Sequence, residues 1–590
     1  MKEFFKMTLA SMLGFLVVSV VMTVFGFMII GAIAAIGSEQ PVMPRSAVLT
    51  IDMGKIALTE QNAPADPLAM LQNNNTTPVG IWNAVSAINA AAGDPEVKMI
   101  FMKPDMASGG LAELEEFRQA LMNFRNSGKA IVSYIENPTN AGYYLASVSD
   151  KIYMTSYEGG MTMITGLSTQ LIFLKDILDK LGINVQLIRH GKYKSAGEMY
   201  IRSGISPENR EQNQEMVNSI WQNWSAEMAQ ARGLATDAFN GLIDGLKLNF
   251  PSDYLENGLA DELMTKEELR EKLCTLSGNE EFSDIPFMPF SDYVTLKSLP
   301  NLKADKKIAV IYASGNIIEG DDKSQVGGDR FASIIAGIRN DESVKAVVFR
   351  VNSPGGSVLA SEKIKNEIDL LRQEKPVIAS FGNYAASGGY WISNSCDYIF
   401  SNAGTLTGSI GVFSMIPEFS GTLEDIAHVN ITTISSNEHG DMYSGTRALN
   451  QTETAYMQAS VERIYDKFTS VVAEGRDMEV QDVDAIAQGR VWSGADAVEI
   501  GLVDEIGSLN DAILYAAAAA GHPDLSSWQI AEYPKPMTTF ELLLESLAGG
   551  NGESVFSGTP LENVAEAFSA WDAAESGKVY ARMPYEISIR

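Results

Sequence analysis

Apolar runs of strand length alternate with amphipathic stretches along most of this chain. The runs are rich in β-branched residues and bounded by polar or turn-forming residues, which predicts buried strands. The clearest are Val132 to Tyr134, Ile308 to Tyr312, Ala346 to Val351, Val377 to Ser380 and Tyr398 to Phe400. Between them, apolar residues recur every three or four positions, as on the buried face of a helix. The clearest stripes are Leu171, Leu174, Leu178 and Leu181; Ile364, Ile368 and Leu371; and Met457, Val461, Ile464, Phe468 and Val471. This alternation is typical of an α/β fold with parallel sheets.

The two halves of the chain repeat each other in order. The matching pairs are Val97-Lys98 with Val344-Lys345, Gly109-Gly110 with Gly355-Gly356, Ile220 with Ile464, and Gly258 to Leu263 with Gly501 to Ile506. The offset drifts only from 247 to 243 residues, as small loop deletions would produce. Collinear matches of this kind predict a duplication. We therefore predict a first repeat at residues 45–295, a second at 300–535 and a tail at 536–590.

The chain begins with a long apolar segment. No charged residue occurs from Met7 to Ser38, and a helix over Thr8 to Ile36 would exceed a hydrocarbon core of about 30 Å. Residues 1–40 are therefore predicted to form one transmembrane anchor, with Lys2 and Lys6 holding the N-terminus in the cytoplasm. A cleaved signal peptide is the alternative, because Ala32-Ile33-Ala34 fits a small-x-small cleavage site.

The net charge and the cysteine count argue against two classes of protein, nucleic-acid binders and disulfide-stabilised domains. The 590 residues include 44 Lys and Arg against 74 Asp and Glu, a formal net charge of −30. Nucleic-acid binding depends on clustered cations, so no nucleic-acid partner is expected. Two cysteines, Cys274 and Cys396, are too few for a disulfide framework and are interpreted as core residues.

Candidate chemistry lies in the second half. Gly355-Gly356 follows a predicted strand and precedes a helix, where backbone amides can stabilise a developing oxyanion. About thirty residues later, Ser387 lies at a predicted strand-to-helix turn, and the amide of Gly388 can face the same oxyanion. The alternative for Ser387 is a helix cap or a small packing residue.

Three motifs together resemble the signal peptide peptidase A family in its long, tandem form. They are Asn352-Ser353-Pro354-Gly355-Gly356, the segment Tyr384 to Trp391, and Thr407-Gly408-Ser409-Ile410-Gly411. The resemblance implies tandem Clp-protease/crotonase-like domains and hydrolysis of the signal peptides left in the membrane, with no cofactor and no metal. It also implies a homo-oligomer, expected to be a tetramer, in the bacterial inner membrane, with the bulk of the chain on the periplasmic side.

The same resemblance assigns the site residues. Ser387 is expected to be the nucleophile, Lys194 in the Tyr193 to Ala196 segment its general base, and Ser409 the residue that orients Lys194. The oxyanion groups would be Gly355 and Gly388, with extended substrate adding along a strand edge at Gly356. The four histidines occupy no recognisable triad context. The alternatives are a surface loop lysine for Lys194 and a turn serine for Ser409.

The repeat predicts that the dyad is shared between the halves. With the offset of the glycine pairs, Ala141 is the first-half counterpart of Ser387, and Gly440 is the second-half counterpart of Lys194. Each half would then keep one member and lack the other. An inactive membrane scaffold and a crotonase-like acyl-CoA enzyme remain as alternatives, because a fold does not fix a function. A scaffold would have no need to keep Ser387 and Lys194, so a serine protease is favoured.

Overall fold

The computed structural model describes residues 6–8, 12–21, 41–63, 76–298, 301, 303–536, 541 and 578–583. Residues 12–21 are helical. Within these ranges, no helix is both long and apolar enough to cross a membrane. Most of the predicted anchor at 1–40, and the alternative cleavage site at Ala32 to Ala34, lie outside the described residues.

The first half forms a parallel sheet. Its strands are β1 (Ala47–Asp52), β2 (Ile56–Thr59), β3 (Thr77–Gly80), β4 (Val97–Lys103), β5 (Ala130–Ile135), β6 (Lys151–Thr155), β7 (Asn184–Arg189), β8 (Glu262–Met264) and β9 (Phe287–Pro289). Six of them follow the order β8-β6-β5-β4-β1-β9, all parallel. Strands β2 and β3 pair separately. The predicted strand at Val132 to Tyr134 lies in β5, and its side chains are buried as a sheet covered on both faces requires.

Helices connect and cover these strands. They are α1 (Ile81–Gly93), α2 (Leu111–Asn126), α3 (Asn140–Ala146), α4 (Lys175–Lys180), α5 (Glu198–Ile201), α6 (Pro207–Ala231), α7 (Thr236–Asp244), α8 (Pro251–Glu256), α9 (Lys266–Ser277) and α10 (Phe290–Lys297). The stripe from Leu171 to Leu181 predicted a longer helix than α4. Leu171 lies before the helix, and Leu181 caps its end with 42% of its surface exposed. The apolar spacing from Leu171 to Leu181 therefore corresponds to a helix of only about one and a half turns.

The second half forms a related sheet. Its strands are β10 (Lys306–Ser314), β11 (Ile317–Ile318), β12 (Val326–Gly327), β13 (Val344–Ser353), β14 (Gly355–Ser357), β15 (Val377–Ala386), β16 (Tyr398–Ser401), β17 (Leu406–Gly408), β18 (Phe413–Glu418), β19 (Val491–Ser493), β20 (Glu505–Ile506), β21 (Trp528–Tyr533) and β22 (Tyr580–Arg582). The main order is β19-β17-β15-β13-β10-β21, with β16 beside β15 and β20 beside β16. All four strand runs predicted in this half lie within β10, β13, β15 and β16.

The helices of the second half follow the same plan. They are α11 (Gly328–Asn340), α12 (Val358–Arg372), α13 (Gly388–Trp391), α14 (Gln451–Arg476), α15 (Val480–Ile486), α16 (Gly494–Glu499) and α17 (Leu509–Ala519). The stripe of Ile364, Ile368 and Leu371 is fully buried on α12. Helix α14 places Met457, Val461 and Phe468 on its buried face, as the spacing predicted.

A third sheet joins the two halves. Its order is β12-β11-β14-β22-β18-β7. Strand β7 of the first half pairs antiparallel with β18 of the second over six residues, from Asn184 opposite Glu418 to Arg189 opposite Phe413. Strand β22, from the predicted tail at 536–590, lies between β14 and β18. The chain therefore has a sheet made from both repeats and the tail.

The halves also share a core and a buried ion-pair cluster. One apolar cluster combines Ile88 and Phe117 of the first half with Val310 and Ile513 of the second. Arg350 on β13 is fully buried and donates to Glu60 at 2.7 Å and to Glu116 at 2.8 Å, both from the first half. Burial raises the pKa of the Glu116 carboxyl even beside this cation. Removing one partner of such a cluster would leave an uncompensated buried charge.

Candidate active site

Ser387 lies where β15 ends and α13 begins. Its φ is 55° and its ψ is −112°, backbone angles that residues other than glycine rarely adopt. Its N–H donates to the Gly408 carbonyl at 2.8 Å, which fixes the turn against β17. The residue is fully buried. Backbone strain of this kind persists only where the surrounding structure holds it, and it is concentrated at functional sites.

Lys194 reaches the second half on the loop that follows β7. The pairing of β7 with β18 directs this loop across the boundary between the repeats. The loop is held by the Tyr193 N–H, which donates to the Gln488 carbonyl at 2.9 Å, and by Arg189, which donates to the Lys194 carbonyl at 2.5 Å. Lys194 is fully buried, so it is not a surface loop lysine.

The structure brings Lys194, Ser387 and Ser409 together. The Lys194 Nζ lies 2.8 Å from the Ser387 Oγ, 3.1 Å from the Ser409 Oγ and 3.1 Å from the Ser409 carbonyl oxygen. The Ser387 hydroxyl also lies 3.3 Å from the Gly411 carbonyl oxygen. Burial holds the pKa of Lys194 well below its usual value, because a cation loses its hydration there. A neutral amine beside a serine hydroxyl is the arrangement that a Ser/Lys dyad requires.

Gly489 is a site residue that the sequence did not reveal. Its φ is +80°, and a Cβ there would lie 2.5 Å from the Lys194 Cβ and 2.6 Å from the Lys194 N and Cα. Its N–H donates to the Ile410 carbonyl at 2.8 Å, next to Ser409. The backbone at this position therefore packs directly against Lys194. The available signal was a glycine in a turn before a strand, which is too common to single out.

The predicted oxyanion glycines also converge. A Cβ on Gly355 would lie 2.6 Å from the Gly388 N, and one on Gly388 would lie 3.0 Å from the Gly356 N. Gly355 has φ +99°. Between the predicted strand and helix, Gly355 to Ser357 form the short strand β14, because Gly356 pairs with Ile317 on one side and with Ala581 on the other. The predicted substrate edge at Gly356 is thus covered by a strand of the same chain.

Equivalent contacts correct the repeat alignment by one residue. The Tyr390 hydroxyl donates to the Leu502 carbonyl, and the Tyr143 hydroxyl donates to the Leu259 carbonyl, each at 2.8 Å. The two tyrosines, which lie three residues after the positions compared, are 247 residues apart, so the counterpart of Ser387 is Asn140, whereas the two leucines further along the chain are 243 apart. The prediction of Ala141 was wrong by one position, because the offset had been taken from the glycine pairs. The first half still lacks a nucleophile there, and the Asn140 amide donates to the Gly166 carbonyl at 2.8 Å.

The first-half counterpart of the site retains a cleft. A cavity of about 310 Å³ lies beside Gly109, Gly110 and Ala141 of the first half and is closed by Asn383 and Tyr384 of the second. The other predicted counterpart, Gly440, is exposed in a turn. The two halves therefore differ in the side chain at the nucleophile position, and at the base position they also differ in backbone, because Gly440 lies in an exposed turn and Lys194 on a buried loop.

Three histidines bond side chains other than Ser387 and Lys194, and the two cysteines are buried or partly buried. His190 bonds Glu462 at 2.5 Å, His439 bonds Glu453 at 2.9 Å and His522 bonds Lys306 at 2.5 Å. Cys396 is buried, and burial raises the pKa of its thiol to about 12. Cys274 is partly buried. Both cysteines agree with the packing role read from the sequence.

Two regions of the chain match one protein family. The pattern described as peptidase family S49 matches residues 123–279 and again residues 369–522. The chain belongs to peptidase family S49. The resemblance to the signal peptide peptidase A family is thereby confirmed, and this S49 member is a serine protease, as predicted. Membership decides against the acyl-CoA enzyme and the inactive scaffold.

Individual relatives of the chain carry protease names, in agreement with the family match. Protease 4 of Haemophilus influenzae is 36% identical over 447 residues, which cover 74% of this chain and 72% of that protein. A protein of Enterococcus faecium, named as a candidate signal peptide peptidase SppA, is 36% identical over 229 residues, 38% of this chain and 66% of its own. A ClpP1 mutant from Listeria monocytogenes aligns with 35% of this chain and 94% of its own at 14% identity and a TM-score of 0.24, a likeness too weak to bear on the fold.

Proposed function

We propose that this S49 protease hydrolyses peptide bonds with Ser387 as nucleophile and Lys194 as general base. The observation that carries the proposal is the 2.8 Å separation between the Lys194 Nζ and the Ser387 Oγ, both fully buried. A serine hydroxyl is a weak nucleophile until a base removes its proton. Burial lowers the pKa of Lys194, so the amine is in the form that can accept this proton.

Ser409 orients the base in this proposal. A neutral amine has two N–H groups and one lone pair. The Ser409 Oγ and carbonyl oxygen, each 3.1 Å from the Nζ, accept the two N–H groups. The lone pair then faces the Ser387 hydroxyl, which donates to it. The Lys194 amine is thus held in one orientation for proton transfer.

The reaction then follows two acyl-transfer steps. The Ser387 Oγ attacks the peptide carbonyl, and the amides of Gly355 and Gly388 stabilise the negative oxygen that forms. The Gly355 N–H donates to the Ser353 Oγ at 3.2 Å in the structure and would exchange this acceptor for the oxyanion. Lys194 passes the serine proton to the leaving amine. A water molecule then attacks the acyl-enzyme, Lys194 accepts its proton, and the proton returns to Ser387.

The proposed substrates are hydrophobic peptides, above all remnant signal peptides. The name of the Enterococcus faecium relative and the S49 membership support this substrate class. The chain would use an N-terminal anchor at 1–40, a first Clp-protease/crotonase-like repeat at 45–295 with Lys194, a second at 300–535 with Ser387, and a tail at 536–590. The anchor would hold the protein in the bacterial inner membrane by a single pass, with the rest on the periplasmic side.

Self-association is part of the proposal. Apolar side chains are exposed along the segment after β18, where Ile434 has 96% of its surface exposed and Ile426 has 52%. Exposed apolar patches of this kind mark interaction surfaces. A homo-oligomer, expected to be a tetramer, would cover them, and light scattering of the detergent-solubilised protein measures its mass directly.

The experiment compares the full chain with three variants. Ser387→Ala and Lys194→Ala are expected to lose at least 1,000-fold in kcat against a synthetic signal peptide, as dyad members act as a unit. The control is Lys192→Ala, which removes an exposed lysine from the same loop and should leave kcat within a factor of two. A serine-reactive fluorophosphonate should label the wild type and the control, but not Ser387→Ala.

The outcome tests the assignments one by one. Turnover by folded Ser387→Ala above a hundredth of the wild-type rate would exclude it as the nucleophile. Equal rates for Lys194→Ala and Lys192→Ala would exclude Lys194 as the base. A hydrophilic peptide of equal length that is cleaved as fast as the signal peptide would contradict the proposed substrate class.

A further inference from the structure

Gln212 lies on the buried face of α6, the long helix that follows the Lys194 loop. Ser206 caps the start of this helix, and Gln212 has only 2% of its surface exposed. A glutamine amide carries an oxygen that accepts hydrogen bonds and an NH2 group that donates them, so a buried glutamine needs partners at both ends. The donor end of Gln212 faces the Lys194 loop of the first repeat, and its acceptor end faces β19 of the second.

The donor end of Gln212 holds the chain on both sides of the base. Its Nε2 lies 3.1 Å from the Tyr193 carbonyl oxygen and 3.0 Å from the Ser195 Oγ. The Asn209 Oδ1, one turn earlier on α6, accepts at 3.1 Å as well. Because Tyr193 and Ser195 directly precede and follow Lys194, these bonds fix the place where the lysine side chain leaves the loop.

The acceptor end of the side chain is tied to the second repeat. The Val491 N–H donates to the Gln212 Oε1 at 3.3 Å. Val491 begins β19, the last strand in the order of its sheet, and lies opposite Gly408 in β17. The neighbouring residues of these strands are also joined, since the Ser409 N–H donates to the Arg490 carbonyl at 2.6 Å. The reverse orientation of the amide would set a donor against the Val491 N–H, so the bonding pattern fixes the orientation.

These bonds form a continuous connection between the nucleophile and the base. The Ser387 N–H donates to the Gly408 carbonyl at 2.8 Å, and Gly408 lies opposite Val491. The Val491 N–H donates to Gln212, whose Nε2 in turn donates to the residue before Lys194. The backbones of the two dyad members are therefore joined through one side chain.

We propose that Gln212 is a positioning residue, which holds the Lys194 amine against the Ser387 hydroxyl by bridging the Lys194 loop and β19. The inference rests on the proposed function of Ser387 and Lys194. Within the described residues, the bonds of Gln212 to the loop reach the neighbours of Lys194 and not the Nζ itself. Gln212 therefore acts through the lysine, because it sets the distance over which the dyad transfers its proton.

The Gln212→Met variant removes this bridge. Methionine has a similar length, but it offers no donor to the Tyr193 carbonyl and only a weak acceptor to the Val491 N–H. A displacement of the base by about 1 Å should lower kcat on a chromogenic peptide roughly 100-fold, with KM within a factor of two. Water also reaches a loosened Lys194 more easily, so the apparent pKa of the pH-rate profile should rise towards that of free lysine. A role in stability alone would lower the folded fraction and leave this pKa unchanged.

The matched control is Gln186→Met. Gln186 lies on β7 and also joins the two halves, because its Oε1 accepts the Leu449 N–H at 2.6 Å and its Nε2 donates to the Leu449 carbonyl at 3.4 Å. The change therefore removes an amide bridge of the same kind at another place along the boundary. Its kcat should stay within a factor of two of the wild type, with the same apparent pKa.

Two further comparisons in the full chain separate positioning from stability. Lys194→Ala should react with a fluorophosphonate at the same slow rate with and without Gln212→Met, because Gln212 has nothing to position once the lysine is gone. Gln212→Glu keeps the size of the side chain and the acceptor for Val491. Its ionised carboxylate cannot donate to the Tyr193 carbonyl, so at about pH 9 its kcat should be at least about tenfold below the wild type. Circular dichroism at the assay pH confirms that each variant is folded.

The other outcomes distinguish this inference from the proposed function. If Lys194→Ala is inactive but folded Gln212→Met keeps a third or more of the wild-type kcat, the inference is overturned and the proposed function stands. If Lys194→Ala keeps the wild-type kcat, both are overturned.

Three results would assign Gln212 a general structural role and overturn the inference. They are an equal loss of kcat in Gln186→Met, a loss in Gln212→Met without a change in apparent pKa, and slower labelling of the double variant than of Lys194→Ala. Wild-type kcat in Gln212→Glu at about pH 9 would overturn it too, and this variant decides the question if Gln212→Met does not fold.

Discussion

Substitution of Gly489 tests whether backbone packing against Lys194 positions the base. The position has φ +80°, and an alanine there costs about 1–2 kcal/mol of stability from the left-handed backbone alone. The added Cβ would also lie 2.5 Å from the Lys194 Cβ, whereas ordinary contact begins at 3.4 Å. Relief of this overlap moves Lys194 by roughly 1 Å, and a misplacement of that size costs about 100-fold in rate.

Gly501 provides a matched control. Its φ is +79°, but a Cβ there would meet nothing within 4 Å. Gly501→Ala should therefore lower the free energy of unfolding in urea by the same amount, roughly 1–2 kcal/mol, and should leave kcat unchanged. Gly489→Ala should lose about 100-fold in kcat on a chromogenic peptide, with KM little altered. If folded Gly489→Ala keeps a third or more of the wild-type kcat, or if both variants lose activity equally, the positioning argument is refuted.

Three further predictions follow from the same contacts. Ser409→Ala removes one hydrogen bond from the Lys194 Nζ and should lower kcat by about 10-fold with KM unchanged, whereas an unchanged kcat would contradict its orienting role. Activity should rise with pH through an apparent pKa well below the ~10.4 of free lysine, because Lys194 acts only when neutral and burial lowers its pKa; a pH-rate profile limited at the free-lysine value would refute this. Arg350→Met should destabilise the protein by about 3–5 kcal/mol in urea unfolding, since two carboxylates lose their buried cation, while Arg125→Met, at an ion pair whose side chains are 44% and 37% exposed, should cost less than about 1 kcal/mol.

The regular elements were the part of the fold that the sequence could predict. A strand covered on both faces consists of apolar residues, so β10 and β13 were recognisable as continuous runs. Strands of two or three residues, such as β11 and β14, carry too few side chains to form a pattern. They exist because backbone groups of distant segments pair with them, which depends on the tertiary structure.

Some residues of the candidate site could be predicted from local sequence, and others could not. The turn at Ser387 was predictable, because a strand, a small-residue segment and a helix start follow one another locally. Lys194 was assigned only by family resemblance, since nothing in its own segment indicates burial. Gly489 was missed because its contact joins residues far apart in the chain. The counterpart Ala141 was wrong by one residue because a repeat with drifting loop lengths has no single offset, and hydrogen bonds were needed to identify Asn140.

The shared architecture explains why the chemistry depends on both halves at once. Lys194 is useful as a base only if its pKa is low, and burial is what lowers it. That burial is supplied by the second half, where Gly411 and Gly489 pack against the lysine side chain and backbone. Separating the halves would therefore do more than remove the base from Ser387. It would hydrate the amine, return its pKa towards that of free lysine and leave it protonated at neutral pH. Proton transfer in this protein is thus coupled to the packing of one repeat against the other.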